Sequence, residues 1–169
     1  MQYSGPQISD SSRATATIAI FGARANELVK SPEALKTVEA WKGTAHVSLI
    51  PVSCDAQWGK ASSDLVNCVY QDHVLAIIAL DRNAGHLAEQ IGVKAFVPVV
   101  AISSDHSLTS TNVPWIFRLP KGTSVQHALK LVLDAVSEAG SNRGAIRERL
   151  ASGKPVAGIR FESTGEVKE

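Results

Sequence analysis

Five short apolar runs, set apart by stretches of helical periodicity, leave this chain few ways to fold. The runs are residues 16–22 (ATIAIFG), 46–52 (HVSLIPV), 74–80 (VLAIIAL), 96–103 (FVPVVAIS) and 115–119 (WIFRL). Each is close to continuously aliphatic or β-branched instead of alternating apolar with polar. Strands buried on both faces read this way, and burial on both faces is the habit of parallel sheets. Pro98 has no N–H to give a ladder, so the fourth run is expected to begin near it or to lie close to an edge.

The segments between the runs read as helices with recognisable ends. Ser31-Pro32 offers an N-cap hydroxyl followed by proline at the first helical position; Leu35, Val38 and Trp41 then share one face, and Gly43 stops the pattern. Trp58, Ala61, Leu65 and Val69 recur at intervals of three and four. Asn83 is the expected cap of a helix burying Ala84, Leu87, Ala88 and Ile91 and ending at Gly92. Thr123 with Gln126 has the spacing of a capping box, ahead of a face of Val125, Leu129, Val132 and Val136 that Gly140 closes. A shorter helix carries Ile146 and Leu150, and residues 156–167 suit a terminal strand or a hairpin turning at Thr164-Gly165. Strand–helix alternation with short connections predicts a three-layer, doubly wound α/β domain with about five parallel strands in the flavodoxin-like order 2-1-3-4-5. We expect one such domain over 16–169, preceded by a flexible segment over 1–15.

Composition narrows the function. The chain has 169 residues, is 44% hydrophobic and 20% charged, and carries a formal net charge of +1. A basic excess, which nucleic acid or an anionic membrane surface would call for, is missing. No apolar stretch approaches the roughly 20 residues that cross a bilayer, and the first residues, MQYSGPQISDSSR, contain no apolar signal-peptide core. Cys54 is expected just beyond a strand and Cys68 well along the following helix, too far apart to bridge.

In an open parallel sheet, ligands bind beyond the carboxyl ends of the strands, where the strand order reverses. Four loops fall there: 22–26, 53–56, 81–86 and 103–106. The first, third and fourth follow neighbouring strands and should converge, bringing Arg24, Asp81, Arg82, Asn83, Ser103, Ser104 and Asp105 to one crevice. The third loop opens a helix, whose N–H groups and dipole favour an anion such as a carboxylate. Ser103 and Ser104 supply hydroxyls and Asp105 a counter-charge for an ammonium group, so a zwitterion suits the set. The same residue types are also what turns and caps require.

Catalytic and nucleotide signatures are missing: the sequence has no GxGxxG after the first run, no Walker lysine motif and no GxSxG elbow. Ser104, Asp105 and His106 are adjacent in sequence, whereas a catalytic triad converges from separate elements. The five histidines show no paired spacing for a metal, although His86 and His106 stand on loops that could meet across the crevice. Neither cofactor nor catalysis is expected. A phospho-receiver would use an aspartate after the third strand, a hydroxyl after the fourth and a lysine after the fifth, and Asp81, Ser103 or Ser104, and Lys121 stand in those places. That chemistry also needs acidic residues after the first strand to hold Mg²⁺, and the sequence there reads Phe21-Gly22-Ala23-Arg24.

Over residues 76–119 the order of elements resembles the type I periplasmic binding proteins of branched-chain amino-acid ABC transporters (the receptor family ligand-binding region). AIIAL resembles that family's "aiiG" strand, VPVVAIS its "gvPvis", and SLTSTNVPWIFRL its "LT" followed by "pyvFR"; the tail RGAIRERLASGKPVAGIRFESTGEV resembles its closing helix and "G.irFd.nG". The resemblance implies a non-enzymatic solute-binding or receptor-like domain whose amino-acid-like or carboxylate ligand meets the loops after strands three and four. It also implies a periplasmic or extracytoplasmic location and an ABC-transporter or sensor partner.

Two departures stand out. The family's carboxylate-binding serine in "GPxSS" is replaced within Ala79-Leu80-Asp81-Arg82-Asn83, leaving Asn83 or the helix N–H groups to serve. The family's Ala-Thr pair maps onto Ser103 and Ser104. Moreover, family members clamp ligand between two lobes, and this chain has room for one, its helix over 124–139 leading straight into the closing pattern. A single lobe offers an open shelf. It would bind ligand weakly, close against a second copy as a homodimer, or keep the surface for a protein partner after losing small-molecule binding.

Overall fold

β1 (Thr15–Gly22) is buried along all but its first residue, because it takes a parallel neighbour on either side. β2 (His46–Ser53) pairs along its full length on one side and β3 (Ala76–Ala79) on the other; β4 (Val99–Ile102) and β5 (Ile116–Leu119) extend the sheet beyond β3. The pairings within this five-stranded sheet are parallel and the order is β2-β1-β3-β4-β5, as the apolar runs predict. The computed structural model describes residues 15–54 and 57–168. The flexible segment expected over 1–15 lies outside the described residues, except that Thr15 opens β1 opposite His46. β4 starts one residue after Pro98, so the missing N–H falls outside the strand.

Helices cover both faces. α2 (Pro32–Ala40), α6 (Val125–Ala139) and α7 (Arg143–Ala151) pack on one side, where Ile18, Ile20, Ile78, Val100 and Phe117 meet Leu129, Val132 and Ile146. α3 (Trp58–Tyr70) and α4 (Arg82–Ala95) cover the other, with Leu65, Val69, Ala84 and Ala88 against Phe21, Ile77, Val99 and Ala101. Two single-turn helices, α1 (Ala25–Leu28) and α5 (Ser107–Ser110), interrupt the loops after β1 and β4.

Several helix ends differ from the sequence reading. Ser31 caps α2 as expected, its hydroxyl accepting from the Ala34 N–H, but α2 ends at Ala40, before Gly43. The indole N–H of Trp41 reaches the Leu133 carbonyl at 2.9 Å and draws the chain out of the helix. Leu35 is 51% exposed and lies off the buried face, where Ala34 packs instead. Trp58 is likewise exposed. Asp81, not Asn83, caps α4: its Oδ1 accepts from the Ala84 N–H at 2.9 Å. α4 passes through Gly92 and ends at Ala95. Gly92 is a packing position, since a Cβ there would stand 2.7 Å from Val99 Cγ2 and 2.8 Å from the Val97 carbonyl oxygen. Ser124, one residue after Thr123, caps α6. Gly140 closes that helix at φ +80°, as expected.

Two buried arginines tie the sheet's ends. Arg143, at the start of α7, donates to the carbonyls of Val74 and Val69 at 2.7 Å each, joining α7 to the entry of β3 and the end of α3. Arg118, on β5, points the other way. The tail turns at residues 163–165 and lays Gly165 against β5, where its carbonyl accepts from the Arg118 N–H at 2.8 Å. Phe161 packs edge-on to Phe117 beneath it.

Candidate functional site

The carboxyl ends of β1, β3, β4 and β5 surround a cavity of about 560 Å³. Ala23 and Arg24 follow β1, Asp81 and Arg82 follow β3, Ser103 and Ser104 follow β4, and Lys121, Gly122 and Thr123 follow β5. Its floor is apolar: Leu28, Leu80, Ile102 and Val125. Convergence at this rim is a consequence of strand order, since β1 and β3 are neighbours and β2 is displaced to the edge. Gly22 lets the first loop pass close to the third, because a Cβ there would stand 2.9 Å from Leu80 Cβ and its φ is +142°. Arg24 follows in the left-handed region (φ 64°), hydrogen-bonded to Glu27 at 3.0 Å.

Of the residues singled out from sequence, Arg24, Asp81, Arg82, Ser103 and Ser104 share this cavity. Asn83 lines an adjoining hollow with Cys54 and Trp58. Asn26 bonds Ser53 at 2.9 Å, linking the first loop to the end of β2. Residues 55 and 56, in the second loop, lie outside the described residues.

Asp105 does not face an open position. Its Oδ2 accepts from Arg82 Nε at 2.5 Å and lies 3.0 Å from His86 Nε2, while Oδ1 accepts from the Ser107 N–H. The Arg82 guanidinium, with Ser107 and His86, holds this carboxyl far below the usual carboxylate range. Ser103 is buried; its hydroxyl accepts from the Asp105 N–H and its carbonyl from Arg118 Nη1 at 2.6 Å, so it shapes the loop. Ser104 and Asn83 are exposed.

His86 and His106 do not meet across the crevice. His86 goes to Asp105, and also lies 3.7 Å from Glu89, whose carboxyl burial pushes upward. His106 Nδ1 lies 3.2 Å from Arg118 Nη2 and 3.4 Å from Glu166. A guanidinium only donates, so in its contact with Arg118 that nitrogen is the acceptor. Ser107 Oγ, His86 and Glu89 stand in a row that superficially suits a nucleophile and its base. The Asp105 carboxylate takes the Nε2 position at 3.0 Å, against 3.4 Å for Ser107 Oγ, so Nε2 carries a hydrogen and cannot accept a proton from the serine. Among the described residues, no three or more His, Cys, Asp or Glu side chains are grouped to hold a metal ion, and Arg24 stands at the rim position where a receiver would place an acid.

The sequence reading places Lys121 after the fifth strand only under the phospho-receiver alternative, and it does not name Thr123 or the supporting pair Arg118–Glu166 as parts of a ligand site.

The fold is that of one lobe of a periplasmic-binding-protein-like α/β domain. It resembles a leucine-binding protein from Thermotoga maritima (16% identity, TM-score 0.53, 72% of this chain and 36% of that one). It also resembles the branched-chain amino-acid transporter substrate-binding protein from Streptococcus pneumoniae, solved with isoleucine (20%, 0.51, 73% and 38%). A third likeness is to a solute-binding protein of an ABC transporter from Rhodopseudomonas palustris, solved with 3,4-dihydroxybenzoic acid (15%, 0.50, 90% and 45%). The chain thus spans less than half the length of each of these proteins. Neither a family model nor a curated protein matches it.

Proposed function

We propose that this domain is a non-enzymatic solute-binding module that takes a small amino-acid-like or other carboxylate ligand at the carboxyl rim of its sheet. The observation that carries the reading is the cavity of about 560 Å³ at the strand-order reversal, apolar below and rimmed by Arg24, Arg82 and Lys121. The apolar floor accepts a hydrocarbon body, and the cations and the first turn of α4 accept its carboxylate. The solved proteins of like fold, named for leucine, branched-chain amino acids and an aromatic acid, support the same class of ligand. We propose that the domain works outside the cytoplasm with a transporter or sensor, a reading that the same likeness supports.

One lobe leaves part of such a ligand in water, which lowers affinity. A second copy set rim to rim would supply the missing wall, and we propose a homodimer stabilised by ligand. Isothermal titration with a panel of carboxylates tests binding, and sedimentation velocity with and without ligand tests the dimer. Binding that is lost in Lys121→Glu while the melting temperature stays unchanged supports the reading; a panel without a binder overturns it. A domain that binds none of the panel yet pairs with a transporter or sensor protein would mark the rim as a protein-interaction surface instead.

A further inference from the structure

Two of the acidic groups described near the rim are held in ion pairs, which bears on which carboxylates fit. Glu27 is taken by Arg24, and Asp105 by Arg82 and His86. Among the described residues, Asp81 is the only acid lining the cavity. Its Oδ1 caps α4 on the Ala84 N–H, and its Oδ2 is turned to Gly22, 3.0 Å from where a Cβ would stand. Lys121 is different: it lines the cavity and has no acidic partner among the described residues. Among the described residues the cavity is thus lined by three cations, Arg24, Arg82 and Lys121, against one acid, and Lys121 is the cation without an acidic partner. A carboxylate gains a charged donor there, whereas an α-ammonium would lose water to enter a lining in which positive charge is in excess.

We infer that the rim selects monocarboxylates lacking an α-ammonium group, such as α-keto, α-hydroxy or aryl acids with an apolar body, over the matching amino acids. The inference rests on the binding reading above and narrows its ligand class, replacing the zwitterion expected from sequence. Leu28, Leu80, Ile102 and Val125 set the body as apolar, and the single unpaired lysine sets the charge at one.

The test pairs 4-methyl-2-oxopentanoate with leucine, and 3-phenylpropanoate with phenylalanine. Each is titrated by calorimetry and followed through the backbone amide signals of Ser104 and Lys121. The deaminated partner of each pair should bind about tenfold or more tightly, and Lys121→Ala should erase most of that affinity. In Arg82→Gln, Asp105 loses its main partner, and the preference should narrow as the freed carboxylate receives an ammonium. Amino acids binding as tightly as their deaminated partners, at the same signals, would overturn the selectivity and leave the binding reading standing. If all four compounds leave those signals unmoved, the binding reading fails, and this inference with it.

Discussion

Arg118 and Glu166 form a forked ion pair that fastens the C-terminal tail to an edge strand. Arg118 Nε lies 2.8 and 2.9 Å from the two carboxylate oxygens and Nη2 lies 2.5 Å from Oε2. Thr109 Oγ1 donates to the same carboxylate, and Arg118 Nη1 holds the Ser103 carbonyl, so one buried guanidinium couples the tail to the loop beneath the cavity. Replacing Arg118 by Ala leaves a largely buried carboxylate without its counter-ion. The expected cost is about 2–3 kcal/mol in urea unfolding, with Glu166→Gln milder because the amide still accepts and Arg118 keeps Ser103. A change of a few tenths in Arg118→Ala would show that the pair is incidental.

The same pair gives a pH dependence of known sign. Arg118 lowers the Glu166 pKa from its ordinary 4.5, outweighing an opposing push from burial. A carboxyl with a depressed folded pKa contributes stability that is complete above its unfolded value and is lost as pH falls through the folded one. Wild type should therefore lose stability below about pH 4.5 more steeply than Glu166→Gln. Glu89 acts in the opposite sense, since burial raises its pKa and folding favours its protonated form. Melting curves at small pH steps below pH 5 for Glu166→Gln and Glu89→Gln separate the two; a Glu166→Gln curve parallel to wild type would refute the assignment.

Gly165→Ala should release the tail. The glycine sits at φ +88°, and a Cβ would stand 2.1 Å from the Ile116 carbonyl oxygen, against backbone that cannot step aside. A loss of about 3 kcal/mol or more is expected, with faster hydrogen exchange across residues 160–168 than across β1. Protection of the tail equal to wild type would mean that the tail accommodates the methyl group.

The two thiols should react at very different rates. Burial first, and the nearby Asp72 second, push the Cys68 pKa up to about 11, so almost no thiolate is present at neutral pH. Cys54 is half-buried at the end of β2 and lines the hollow beside Trp58. Maleimide labelling at pH 7 should modify Cys54 in the native protein and reach Cys68 only on unfolding. Prompt double labelling would contradict the burial of α3 against the sheet.

The sheet was legible because unbroken apolar runs in 16–22 and 74–80 have few other homes, and order follows from short connections. Which of two neighbouring polar residues caps a helix was not: Asp81 and Asn83 both qualify chemically, as do Thr123 and Ser124, and backbone direction at the strand exit decides. Arg118 and Arg143 were hidden for another reason. Each reads as an ordinary surface cation until the fold brings Glu166, or the carbonyls of Val69 and Val74, from far along the chain. The convergence of Arg24, Asp81, Arg82, Ser103 and Ser104 was legible from topology, whereas the engagement of Asp105 by Arg82 and His86 depends on rotamers that no spacing encodes.

Asp81→Asn separates the structural duty of that residue from its charge. Asparagine caps helices about as well as aspartate, so α4 should keep its first turn and the melting temperature should move little. The substitution removes the one acidic side chain that lines the cavity among the described residues, beside Arg24, Arg82 and Lys121. A carboxylate entering the rim would then meet less repulsion. Its affinity should rise severalfold, with the gain shrinking in high salt as screening shortens the reach of the charge. Asp81→Ala should show the same gain in affinity together with a loss of about 1 kcal/mol in stability, the signature of a missing cap. Calorimetric titration of 4-methyl-2-oxopentanoate into both variants, at low and high salt, reads the two effects separately. Unchanged affinity in Asp81→Asn would place the bound anion away from the first turn of α4.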